Sequence, residues 1–482
     1  MRIYGLLVHN YDVTTVRALI YFDRSNLPRE LPVLSSQGQP MLPLLKFQLQ
    51  HLKQKTSWHE RLLFSVRLLL EYAEANPDLC SDPEELFLCF ATRLRDGSID
   101  QDGSDPAMLY WKPRRNGEVR EILSKVTDFS RYLSKYYGTK ELNPLREATT
   151  SERTFQMAAA RYRSDNSFLK HLDTSPRQGD SCGQVSQVYE TGDEVTVYSD
   201  GHVNFPDEDL PRLLMKGFEV NPYAADPLDR INLKDTMLTL LMWGGGVRTS
   251  ECFHLWLEDV SEHPEDPTVA WVRIGHPRLQ KKLWYEGNIL RSGTRAEYLR
   301  TLGLQPRDMV LGTRRAGWKN PALDRKYELE IHWSDPEYGR LFFALWKRYL
   351  ASIEHINPSH PWAFIVERNG ETYGQPYAIG DFRSNFIDAL QRIGLRQDPS
   401  KGHNPHGLRH GYAVRLKKRG LKPMYIQRCL HHASLESQKV YTEQEYIEMN
   451  NALTEGYERA QDASRSISAS LVSEFEHLLL PV

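Results

Sequence analysis

Two stretches near the C-terminus decide how this chain is read: NPHGLRHGYAVRLKKRG at 404–420 and CLHHASLESQKVYT at 429–442. In the first, His406 and Arg409 stand three apart, a spacing at which two side chains project together from a helix. The second holds the pair His431 and His432, a Ser-rich turn able to cap a helix, and Tyr441. His432 follows Arg409 by 23 positions, and Tyr441 follows His432 by nine. Upstream, GGGVRTSECFHLWLEDV at 244–260 sets Arg248 after three glycines and Glu251 three residues further on. None of the three stretches identifies a chemistry alone. An Arg–Glu pair at this spacing reads as a surface ion pair, and a tyrosine at a helix end as packing.

Together they match the needs of one reaction. Cutting a phosphodiester without a metal takes a nucleophile, positive charge on the non-bridging oxygens, and an acid for the leaving hydroxyl. Tyrosine is a competent covalent nucleophile, although its phenol, with a pKa near ~10, needs a base or a positive field before it attacks. Arginines stay charged and fork onto phosphate oxygens. Arg248 and Arg409 are the candidate clamps, and His406 and His432 the candidates for donating to the phosphate or managing the Tyr441 proton. Glu251 is the candidate to hold an arginine or histidine in place.

In this order and at these intervals, Arg248, His406-x-x-Arg409, His432 and Tyr441 resemble the tyrosine recombinase family of the phage-integrase type. GGGVRTSE is similar to its Gly-x-Arg-x-x-Glu segment, PHGLRH to its His-x-x-Arg segment, and LHHASLESQKVYT to its Leu-Gly-His-x-Ser…Tyr segment. The resemblance covers about residues 203–460. It implies a mainly helical α+β fold, with an N-terminal helical core-binding domain ahead of a catalytic domain that carries a small β-sheet. It implies a site-specific DNA recombinase, or integrase, that joins a DNA 3′-phosphate to Tyr441 and reverses the step on another strand's 5′-hydroxyl, without metal, ATP or cofactor. Its partners would be double-stranded recombination sites and further copies of the chain, a tetramer on two sites, with accessory recombination proteins left open.

The chain departs from the family pattern twice. The family carries a lysine on a β-hairpin after the first arginine, as general acid toward the 5′-oxygen. The interval from Arg248 to His406 is longer here than in compact members, which predicts an insertion at about 275–326 between a strand in TVAWVRIGHP (268–277) and one in YELEIHW (327–333). Lys281, Lys282, Lys319 and Lys326 lie there. Lys319, in the AGWKNP turn, is preferred, although each of the four also reads as a solvated surface charge. The second departure is His431, where the family has a small residue, often glycine. Either histidine could face the phosphate, and the spacing to Tyr441 selects His432. Tyr446 is the rival nucleophile.

Three other readings compete. One is a catalytically silent DNA-binding protein on the same fold, and another a DNA-relaxing enzyme of the type IB topoisomerase kind. The third is a metal-dependent hydrolase using His403, His406, His410, His431 and His432, a set with no HExxH motif and no carboxylates nearby to orient metal ligands; no metal ligand is therefore assigned.

The rest of the chain fits an ordinary soluble protein. Its 482 residues are enough for two to four domains at roughly 100–200 residues each, and mean hydropathy is −0.56. No run approaches the ~18 apolar residues of a membrane span. Five cysteines without a CxxC pair fit buried thiols in a reducing compartment. A cytoplasmic protein, nucleoid-associated when acting, is the expectation. The boundaries predicted are a β-rich, arm-like segment at 1–45, helices at 46–182, an acidic linker at 183–202, the catalytic domain at 203–460 and a C-terminal helix at 461–482. In the last segment, Leu471, Val472, Phe475, Leu478 and Leu479 recur at helical intervals, for its own core or for a neighbouring subunit. The net charge of −2 argues at first against nucleic acid. It is a sum over opposed regions: 401–440 holds nine Lys/Arg against Glu436 alone, while 183–210 and 441–482 are acidic. Within the basic stretch, the cluster Arg415–Lys422 reads as a solvated helix face.

Overall fold

The computed structural model describes residues 13–22, 25–36, 38–100, 103–151, 153–154, 157–158, 184–186, 203–432, 443–459, 471, 473 and 475. The chain divides into two compact units, 1–197 and 198–482. It is an α+β fold in which helix dominates, as the sequence patterns predict.

The first unit opens with an antiparallel hairpin, β1 (Val13–Phe22) and β2 (Ser25–Ser36), in which Val13 faces Ser36 and Val16 faces Val33; β3 (Gln39–Pro40) adds to β2. Four helices follow: α1 (Leu42–Gln50), α2 (Thr56–Ala75), α3 (Pro83–Asp96) and α4 (Asn116–Tyr137). The continuous apolar periodicity over 46–76 reads as one helix, but the chain breaks it at 51–55. There the His51 ring bonds the Phe47 carbonyl through Nδ1 and stacks on Trp58. The Asp-Pro start of α3 behaves as its sequence predicts: the Asp82 carboxylate accepts from the backbone N–H of Glu84 and Glu85, and Pro83 occupies the first turn, where no N–H is needed. Leu86, Phe87, Phe90, Val119, Ile122 and Val126 fill one core, and Leu34, Leu44, Phe47, Leu62 and Phe129 a second. Among the described residues of this unit, a short strand pair, β4 (Leu145–Glu147) with β5 (Gln184–Ser186), completes the regular structure.

The second unit is built around α5 (Leu233–Trp243), buried on every side, as a helix apolar around its whole circumference must be. At its end Gly244–Gly246 turns the chain sharply, leading to the short helix α6 (Thr249–Cys252). The glycines are required by space: a β-carbon on Gly245 would lie 2.4 Å from Ile331 Cγ2, and one on Gly246 2.5 Å from the Tyr412 ring, with Gly246 also at φ +65°. A three-stranded antiparallel sheet follows, in the order β10 (Glu328–Glu330), β7 (Ala270–Gly275), β6 (Val260–Glu262). Between β7 and β10 lies a long excursion. It contains the hairpin β8 (Lys281–Glu286) and β9 (Ile289–Thr294) and the helix α7 (Arg295–Thr301), and it closes at its base where His276 N–H donates to the Tyr327 carbonyl at 2.8 Å. Helices α8 (Pro336–Ile353), α9 (Ile379–Arg392), α10 (Pro405–Lys418), α11 (Pro423–Cys429) and α12 (Glu443–Arg459) complete the unit. From the C-terminal segment, Leu471 and Phe475 are buried in the main core of their own unit. Among the described residues, no helix is long and apolar enough to cross a membrane.

The Arg415–Lys422 cluster does not form a solvated face. Lys417, Lys418 and Lys422 are exposed, but Arg415 and Arg419 are buried. Arg415 lies 3.7 Å over the Trp243 ring, donates to the Trp243 carbonyl at 2.5 Å and pairs with Asp207 at 3.3 Å; Arg419 donates to the Ser334 carbonyl. These arginines tie α10 to α5 and to the entry of α8.

The excursion is held by a second buried charge. Arg295, fully buried, pairs with Asp259, lies 4.1 Å over the Trp256 ring and donates to the Gly275 carbonyl. Removing one partner of such a pair strands the other without water or counter-charge. Asp259→Ala should therefore destabilise the second unit by about 3–5 kcal/mol, seen as a lower urea midpoint for that unit. An unchanged midpoint would contradict this role for the pair.

Candidate active site

Arg248 does not sit on a helix face with Glu251. It is the residue before α6, in extended conformation, and Glu251 is the third residue of that helix. The Glu251 carboxylate therefore reaches back. Its Oε2 accepts the Arg248 backbone N–H at 3.0 Å, and its Oε1 accepts the Arg248 guanidinium at 2.7 Å. This satisfies an orphan N–H at a helix start and fixes the side chain with the same group. Glu251 is fully buried, whereas the Arg248 side chain keeps 21 % of its surface.

The same carboxylate faces Arg409, whose Nη1 lies 3.9 Å from Oε2. Arg409 comes from α10, which starts at Pro405 with the Asn404 side chain accepting from the Gly407 N–H at 2.9 Å. Its guanidinium is buried and donates to the Gly246 carbonyl at 2.5 Å and the Leu430 carbonyl at 2.6 Å. Burial, then the charge of Arg248, push its pKa down to about 10, with Glu251 opposing, so it remains charged at neutral pH. The structure thus brings Arg248, Glu251 and Arg409 together: two guanidiniums around one carboxylate, with a net positive charge.

His432 follows α11, and its backbone N–H donates to the Gln427 carbonyl at 3.1 Å. Its side chain reaches the surface, yet its pKa falls to about 4, through desolvation first and then the charges of Arg409 and Arg248. It is a neutral imidazole at pH 7 and feels both arginines. His406 is exposed on the first turn of α10, while Arg409 three residues on is buried; helical spacing alone suggested that they project alike. The His406 ring meets His410 edge-on at 4.2 Å. Tyr441, with all of 433–442, lies outside the described residues, and the rival Tyr446 falls in α12, its side chain likewise outside them.

The four candidate lysines sit in different surroundings. Lys282 pairs with Glu258 and lies over the rings of Trp256 and Tyr298. Lys281 is exposed on β8, and Lys326 is exposed in a turn closed by Asp324, whose carboxylate accepts the Lys326 N–H. Lys319 is exposed in a turn bounded by buried Trp318, which packs against His254 and His276, and by Ala322, whose N–H donates to the His431 carbonyl at 3.1 Å. That bond ties the Lys319 turn to the residue before His432.

Two contacts at the site have no local sequence signature. One is Gly246, whose left-handed turn presents the carbonyl that holds Arg409. The other is His431, itself at φ +52°, buried, with Nε2 2.7 Å from the Glu330 carbonyl. A large residue standing where a small one was expected was the available signal. The histidines of the hydrolase reading have separate partners: His403 lies 3.8 Å from Asp209, His406 and His410 meet on α10, and the His431 ring bonds the Glu330 carbonyl.

Parts of the chain are similar to known proteins. Residues 342–448 match the model of the phage integrase family. An integrase/recombinase of Escherichia coli and one of Pseudomonas aeruginosa are each 26 % identical over 203 residues, 42 % of this chain and 52 % of the relative, so the chain spans about half the length of the curated relatives it matches. Among solved structures, the Tn1549 transposon integrase in complex with transposon right end DNA is 13 % identical with a TM-score of 0.39, covering 91 % of this chain and 98 % of that one. The XerH site-specific recombinase bound to difH substrate is also 13 % identical, with a TM-score of 0.29, covering 76 % and 95 %. The matched stretch 342–448 carries His406, Arg409 and His432, so this part of the chain is similar to the phage integrase family.

Proposed function

We propose that the chain is a tyrosine-type site-specific DNA recombinase that acts on double-stranded recombination sites as an assembly of several copies. The observation that carries this reading is the Glu251 carboxylate between Arg248 and Arg409. It orients two permanent cations and leaves a net positive charge, a built receptor for a phosphodiester anion.

In the proposed reaction Tyr441 Oη attacks the phosphorus, and the bond to the 5′-oxygen breaks. A 3′-phosphotyrosine forms, and the 5′-hydroxyl departs with a proton from Lys319. The phosphate ester stays activated, so a second strand's 5′-hydroxyl can attack it, release Tyr441 and reseal the backbone. Arg248 and Arg409 bind the non-bridging oxygens as charge develops. Neutral His432 donates its ring N–H to one of them, and exposed His406 takes the tyrosine proton.

Trapping on a pool of nicked random-sequence duplexes tests this. Wild-type protein should yield a covalent DNA adduct that survives denaturation. Tyr441→Phe should yield none while binding the recovered DNA within about twofold of wild type. Arg248→Ala should slow adduct formation by about 10²–10³-fold, the usual loss for one donor to a developing oxyanion. An adduct with Tyr441→Phe would remove Tyr441 as the nucleophile, and plasmid relaxation without strand exchange would point to a topoisomerase instead.

The depressed His432 pKa makes a separate prediction. In the free protein its ring should titrate near pH 4. A bound phosphodiester places a negative charge among the arginines and offsets their field, so the pKa should rise. Histidine-selective NMR titration with and without the recovered duplex measures this; the same midpoint in both would place the phosphate elsewhere.

A further inference from the structure

The excursion between β7 and β10 creates a positioning problem. A lysine on a short hairpin is placed by the sheet itself. Here the Lys319 turn lies well before β10 resumes, and the intervening 320–327 belongs to no strand of the sheet. One residue bridges that gap. The His431 carbonyl accepts from Ala322 inside the excursion, and the His431 ring bonds the carbonyl of Glu330, just beyond its end. The ring also lies parallel to His332, with 9° between the planes and centroids 6.3 Å apart. On either side, Leu430 presents its carbonyl to Arg409, and His432 is anchored to Gln427.

His431 holds this arrangement at φ +52°, a left-handed conformation that a β-carbon disfavours and glycine adopts freely. Strain of this kind persists when surrounding contacts over-determine the conformation, and here they come from three elements: β10, the 319–322 turn and the end of α11.

We propose that His431 is a positioning residue: by joining Glu330 to Ala322 it locks the Lys319 turn beside the phosphate site, so that proton donation to the leaving 5′-oxygen depends on a ring that touches no reacting atom. The proposal rests on the recombinase reading and deepens it.

His431→Gly removes the ring and relieves the backbone, so the fold should survive with an equal or higher melting temperature. If it does not, His431→Asn, which tolerates left-handed backbone, takes its place. Adduct formation is measured on a duplex recovered with wild-type protein, made with either oxygen or sulfur at the bridging 5′ position. A thiol is far more acidic than an alcohol, so a sulfur leaving group departs without a proton donor. His431→Gly should be slowed about 10²-fold on the oxygen duplex, the scale of a lost general acid, with unchanged DNA affinity and a wild-type rate on the sulfur duplex. Lys319→Ala should show the same pattern, the double variant should be no slower than either, and added imidazole should restore part of the oxygen rate in His431→Gly. A wild-type rate for His431→Gly on the oxygen duplex, or equal slowing on both duplexes, would overturn the proposal while leaving the recombinase reading intact. Absence of any wild-type adduct would overturn both.

Discussion

The arrangement depends on one buried carboxylate. Glu251 has no surface exposure, and its two oxygens satisfy the start of α6, the Arg248 guanidinium and, more distantly, Arg409. A lone buried carboxylate would be expensive, and so would the buried Arg409 guanidinium beside the charge of Arg248. Together each lowers the cost of the others, and one positive charge is left over. That excess is stored by the fold before any ligand arrives, which is the condition for electrostatic stabilisation without reorganisation. The carbonyls of Gly246 and Leu430 complete the fit, so Arg409 is fixed by the turn after α5 and the turn after α11 at once.

Much of the site was legible because the chemistry needs particular residue types at set intervals. The motif Gly-x-Arg-x-x-Glu marked the turn, and the Asp-Pro start of α3 was local. What stayed hidden were contacts across long sequence separations. Arg415 and Arg419 look like part of a solvated cluster until Trp243, Asp207 and Ser334 are brought to them by the fold. The divergence of His406 and Arg409 has the same origin: helical spacing gives their angle about the axis, but not which side of α10 is covered. His431 was visible as an oddity, and its meaning lay in Glu330 and Ala322, which no local pattern connects to it.

The excursion at 276–327 gives the chain its own character. It is closed at the neck by His276 and Tyr327 and anchored through Arg295 to Asp259 and through Arg307 to the carbonyls of Phe253 and Tyr377. Lengthening a hairpin in this way loosens whatever the hairpin carries unless new anchors replace those of the sheet. The buried arginines hold its body, and His431 holds its return. Net charge is a poor guide in such a molecule, since several arginines in the basic stretch serve the core and two charges at the site are worth more than many on the surface.

If the two arginines and Glu251 serve a phosphate attacked by Tyr441, as proposed, the DNA must become joined to that tyrosine. Peptide mapping of the protein–DNA adduct by mass spectrometry tests it most directly. The expected product is a nucleotide joined through its 3′-phosphate to the peptide containing Tyr441, at that residue. Attachment at Tyr446 or elsewhere, or through a 5′-phosphate, would contradict it.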